Sequence, residues 1–93
     1  MLIWDEAKRS ANLEKHGVDF RALAELDWDR AWVFEDRRRD YGETRLIALV
    51  PLGRRLHAVV YTERKGTRRI ISARKANSRE VAAYENALDQ TDT

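Results

Sequence analysis

The chain has no cysteine, which excludes disulfides and thiolate metal ligands and fits a reducing compartment. No apolar run comes near the roughly 20 residues that span a bilayer. The N-terminal "MLIWDEAKRS" lacks a charged region followed by an apolar one, so neither a signal peptide nor a membrane span is expected, and the expected location is cytoplasmic. Histidine is scarce: His16 and His57 stand alone, without an HExxH pair or a spaced carboxylate set, so no metal site is expected. A glycine-rich phosphate loop and a nucleophile elbow are also missing.

What is present is enough for one folded unit. Ninety-three residues make a single domain, 1–93, with no repeat, low-complexity segment or linker. Three Trp, three Tyr and two Phe argue against disorder. The net charge is only +2, but it is unevenly spread. Residues 1–52 balance at −2, residues 53–80 at +7, and residues 81–93 at −3. The basic block holds Arg54, Arg55, Arg64, Lys65, Arg68, Arg69, Arg74, Lys75 and Arg79 against Glu63 and Glu80. Such a block points to a surface that faces a polyanion. A solvated, charge-rich sheet surface gives the same composition.

Local signals give the order β-α-α-β-β-β-β-α. "LIW" at 2–4 is a short apolar entry. Asp5 caps a helix through "EAKRSANLEKH", and Gly17 stops it. "VDFRALAELDW" reads as a second, shorter helix with Asp19 as cap and Phe20, Leu23, Ala24 and Leu26 as its buried stripe. "WVFED" at 32–36 is a strand, and "RRRDYGET" a polar turn region. Runs 45–52, 54–63 and 68–75, joined by short glycine-containing links, form an antiparallel meander. Ser78 is expected to cap a last helix whose stripe is Val81, Tyr84 and Leu88. The economical fold is α+β: one small antiparallel sheet with helices on one face and the other face open for binding.

Several side chains could carry chemistry. Lys8, Asn12 and Lys15 recur at i, i+4 and i+7, on one sector of the first helix, and His16 lies at its edge. A cation at a helix C-terminus also satisfies the macrodipole, which accounts for "EKHG" without function. Strict alternation along 68–75 puts Ile70, Ser72 and Arg74 on one face and Ile71, Ala73 and Lys75 on the other. Arg64 and Arg74 fall at opposite ends of two neighbouring strands and need not be close. Glu80 suits the first turn of the last helix electrostatically, and Tyr84, four residues on, suits the core. RNA carries its own nucleophile, the 2′-OH. Its cleavage needs a base, an acid and cations around the phosphorane, and needs no cofactor.

"WDEAKRSANLEKHGVDF" (4–20), "YTERKGTRRIISARKANSRE" (61–80) and Tyr84 together resemble the BrnT family of type II toxin–antitoxin toxins, over nearly the whole chain and in order. The resemblance implies a RelE-like fold and a metal-independent endoribonuclease that inhibits translation and growth. Its implied partners are RNA and a BrnA-like antitoxin, with DNA met only through the antitoxin complex. It matches Lys8, Asn12, Lys15, His16 and Gly17 to the family's helix motif, and Glu63 and Arg64 to its strand-end element. Arg74, Lys75, Glu80 and Tyr84 match its last block. The expected catalytic groups are therefore His16, Glu63, Arg64, Arg74, Glu80 and Tyr84. Lys8, Asn12, Lys15, Lys75 and Arg79 are the expected RNA contacts. The connection "RRRDYGETRL" keeps only Glu43 and Arg45, and Pro51 departs from a plain strand-to-turn segment. The alternative is a non-catalytic nucleic-acid-binding or partner-binding module on the same scaffold.

Overall fold

A computed structural model describes residues 1–91. Its elements are β1 (Leu2–Ile3), α1 (Glu6–His16), two 3₁₀ segments (Phe20–Glu25 and Trp28–Arg30), β2 (Trp32–Glu35), β3 (Leu46–Leu52), β4 (Arg55–Arg64), β5 (Thr67–Lys75) and α2 (Ser78–Thr91). The fold is α+β, in nearly the expected order.

Four details differ from expectation. The five-stranded sheet has the order β1-β5-β4-β3-β2 and is mixed, because β1 runs parallel to β5 while the other pairs are antiparallel. The expected second α-helix is a 3₁₀ helix. With three residues per turn, Phe20 and Leu23 stack in one row, and both are buried, as is Leu26, the extended residue that ends the segment. Ala24, which an α-helical stripe would bury, is exposed. The cap of α2 is Asn77 rather than Ser78. Its Oδ1 accepts from the Glu80 N–H at 2.8 Å, and Glu80 Oε1 accepts from the Asn77 N–H at 2.9 Å, a reciprocal capping box.

The fourth difference matters most. The helices do not share one face of the sheet. Val18, Phe20, Leu23 and Leu26 pack with Ala48, Val50, Val59, Tyr61, Ile70 and Ala73 in the main core on the first face. Tyr84 of α2 packs with Leu49, Ala58 and Leu56 on the second. A β-bulge decides which β5 residues go where. Val59 pairs with Ala73 and Val60 with Ser72, but Tyr61 pairs with Ile70, so Ile71 has no partner across the ladder. Ile70 and Ala73 are thereby both buried on the first face. Ser72 and Arg74 pair with Val60 and Ala58 and turn to the second. Strict alternation would have put Arg74 on the side of the fully buried Ile70.

The turns follow their residues. Lys65 and Gly66, between β4 and β5, both have positive φ (52° and 81°), the backbone pattern that lets a two-residue hairpin follow the strand twist.

Candidate nucleic-acid interface

The first wall of the site is α1. Asp5 Oδ1 accepts from the N–H groups of Ala7 (2.7 Å) and Lys8 (3.3 Å), and Gly17, at φ 72°, closes the other end by donating to the Leu13 carbonyl at 2.8 Å. β1 covers only Arg68 and Arg69 of β5. Further along that edge, Asn12 takes the place of a strand. Its Nδ2 donates to the Ala73 carbonyl (2.8 Å) and the Val18 carbonyl (2.9 Å), and its Oδ1 accepts from the Ala73 N–H (3.1 Å). Asn12 is buried. Its side chain is committed to the backbone of Val18 and Ala73. The clamp fixes the rotation of α1, so that Lys8, Lys15 and His16 border a shallow depression with Ile71 and Ser72. Neither Lys8 nor Lys15 forms an ion pair among the described residues.

The second wall is the start of α2. Glu80 grips Arg74 through two bonds, Nη1–Oε1 at 2.7 Å and Nη2–Oε2 at 2.8 Å. This pairing lowers the Glu80 pKa from the usual carboxylate value and raises that of Arg74. Arg74 keeps Nε and one Nη2 hydrogen free of protein acceptors. A third cation, Arg38, is close enough that its charge further lowers the Glu80 pKa and opposes the rise at Arg74. Arg38 is anchored on Asp36 (2.8 and 2.7 Å), whose side chain is only 1% exposed and also accepts from the Tyr41 hydroxyl at 3.1 Å. The Arg38 hydrogen bond is the main reason the Asp36 carboxyl sits well below the usual range.

Between the walls lies the sheet's second face. Trp32, Leu49, Ala58 and Arg74 form one row across β2, β3, β4 and β5. Tyr84 covers the middle of that row. The next row is Phe34, Ile47, Val60 and Ser72. Its residues are only half-buried or exposed, so it forms an open trough floor that ends beside the Lys15–His16 depression.

The expected site residues therefore separate. Arg74 and Glu80 come together, and Lys8, Lys15 and His16 come together, with Ser72 between the groups. Glu63 and Arg64 lie at the far end of β4. Six residues separate Arg64 from Ala58, the partner of Arg74, which puts the two arginines about 20 Å apart. Glu63 instead holds Arg68 at 3.1 Å, and Arg68 lies 4.0 Å over the Trp28 ring, so part of the basic block is structural. Tyr84 is buried and donates its hydroxyl to the Arg30 carbonyl at 2.6 Å, a core role. Lys75 and Arg79 are exposed. Arg38, Ser72, Trp32 and Phe34 escaped the sequence reading. Arg38 lies in "RRRDYGET", which looked like a plain polar turn, and the bulge that turns Ser72 has no local signature.

Fold and site together define a small α+β protein with one open sheet face bordered by cations, some of them without acidic partners. Such a face suits a polyanionic strand. The chain belongs to the BrnT family. The sequence model described as "Ribonuclease toxin, BrnT, of type II toxin-antitoxin system" matches residues 4–80, which include α1, strands β2 to β5, Arg74 and Glu80. No curated protein sequence matches the chain significantly. No helix among the described residues is long and apolar enough to cross a membrane.

Proposed function

We propose that the protein is a cytoplasmic endoribonuclease toxin that cleaves RNA without a metal ion, inhibits translation and growth, and is restrained by a BrnA-like antitoxin through which alone it meets DNA. The observation that carries the reading is the meeting of Lys15 and His16 with Ser72 in one depression, while Arg74 follows Ser72 on the same sheet face. These groups supply the cations and the titratable imidazole that cleavage requires.

In this reading the substrate 2′-oxygen attacks the adjacent phosphorus, and the bond from phosphorus to the 5′-oxygen breaks. The products are a 2′,3′-cyclic phosphate and a free 5′-hydroxyl. Arg74 presents its unused Nε and Nη2 donors to the phosphorane oxygens, and Lys15 adds charge from α1. Glu80 is a positioning residue. Arg74 keeps it ionised at neutral pH, a poor match for proton transfer, so that role falls to His16, the imidazole that borders the depression. Tyr84 has its hydroxyl occupied, and Glu63 and Arg64 stand too far away for the same phosphate. Lys8, Lys75 and Arg79 are left to attract the backbone.

The test is cleavage of a defined RNA in excess chelator, with the product ends identified. Arg74→Ala and His16→Ala, folded by circular dichroism, should each lose on the order of a hundredfold or more in rate. Arg64→Ala should cut at the wild-type rate. Cleavage that stops in chelator refutes metal independence, and wild-type rates for both Arg74→Ala and His16→Ala refute the site.

A further inference from the structure

Among the described residues, only two aromatic rings are exposed: Trp32 at 38% and Phe34 at 37%. The other Trp, Tyr and Phe side chains are buried or half-buried. The exposed pair lies two residues apart on β2, an edge strand, so both rings project from one face. Their centroids are 5.2 Å apart with planes tilted by 49°. That face is the second one, because Trp32 pairs with Leu49 and Phe34 with Ile47, on the rows that lead to Arg74 and Ser72.

We propose that Trp32 and Phe34 are a stacking platform for a nucleobase of the substrate RNA, at the end of the trough opposite the phosphate site. This deepens the ribonuclease reading and rests on it. Three inter-strand spacings separate Phe34 from Ser72, about 14 Å across a floor of Ile47 and Val60. The floor is apolar and open, and Arg74 and Lys15 border it towards β5; Arg38, on the loop after β2, lies within electrostatic reach of Glu80. An aromatic surface continuous with a cationic groove is the combination that holds single strands, because every base offers a π-face and every linkage a negative charge. A protein partner docked by hydrophobic contact needs apolar area of any shape. Here the apolar groups on this face of the edge strand are planar rings, and Val33 is the strand's one aliphatic side chain, turned to the opposite face.

The probe is a 2′-O-methyl oligoribonucleotide, which lacks the nucleophile and so reports binding alone. Trp32→Leu and Phe34→Leu keep apolar bulk on the edge strand and remove the π-face, and thermal unfolding confirms the fold of each. Each variant should raise Kd roughly 5- to 150-fold, the range that loss of one base stack produces. Cleavage of the matching RNA should show the loss in KM, with kcat retained, since Arg74 and His16 are untouched. An oligonucleotide with an abasic residue at the stacked position should bind wild type and Trp32→Leu equally. Unchanged Kd and KM in both folded variants overturn the platform while leaving the ribonuclease reading intact. Variants that keep RNA affinity and lose only the antitoxin assign the pair to that protein and overturn the platform as well. Wild-type protein that neither binds nor cuts RNA overturns both readings.

Discussion

Replacing Asn12 by alanine separates two roles for this side chain, because structure and RNA contact predict opposite outcomes. The amide makes three hydrogen bonds, to Val18 O, Ala73 O and Ala73 N, all in a buried setting. Alanine leaves two carbonyls and one N–H without partners. A buried orphan costs about 1–3 kcal/mol, and the neighbouring depression admits some water, so about 1 kcal/mol each is reasonable, or ~3 kcal/mol in total. Against a domain stability of about 5–15 kcal/mol this is a large fraction. It corresponds to a fall in Tm of about 12–24 °C for a domain of this size. Urea and thermal unfolding by circular dichroism measure it directly. Asn12→Asp is a sharper variant, since a carboxylate faces the Val18 and Ala73 carbonyls. Its folded-state pKa is raised, so whatever stability it keeps is fullest in acid and is lost as pH rises through that pKa. If Asn12→Ala unfolds within 1 kcal/mol of wild type and loses RNA affinity instead, the clamp argument is wrong and Asn12 is an RNA contact.

Two further outcomes follow from charge. Asp19 is held at about 2, first by the Arg21 side-chain hydrogen bond, and Asp36 and Glu80 are lowered by Arg38 and Arg74. All three folded-state values lie below the unfolded ones, so their stabilisation is complete above the unfolded carboxylate range near pH 4 and is lost as pH falls through the folded values. Stability should be flat from neutral to about pH 5 and fall steadily below about pH 4, and Asp36→Asn should flatten that acid limb. RNA affinity should fall with salt: if Lys8, Lys15, Arg38 and Arg74 each neutralise a phosphate, the slope of log K against log salt is about −3 for a single strand. A flat titration refutes electrostatic binding.

Local sequence was enough for most of the secondary structure. Asp5 and Gly17 bound α1 because a carboxylate accepts free amide donors and glycine tolerates φ 72°. The β-rich runs 45–52, 54–63 and 68–75 and the short glycine-containing links between them pointed to a meander. The "NLEKHGVDF" and "RIISARKA" segments carried the family. Residue type and spacing also showed that Lys8, Asn12 and Lys15 share a face.

Which way that face turns is a tertiary matter. Asn12 looks like the centre of a polar stripe in sequence, but it is the one member that reaches an unpaired strand edge, and burial makes its hydrogen bonds structural. The grouping of the arginines was equally illegible. A single bulge residue, Ile71, reverses the phase of β5 and sends Arg74 away from Ile70, onto the face where Glu80 grips it. One extra residue in a ladder leaves no mark in composition or periodicity, because its effect exists only relative to the partner strand. The exposure of Trp32 and Phe34 was hidden for the same reason. "WVFED" read only as a strand, and which strand stands at the sheet edge, leaving its rings exposed, is decided by the strand order.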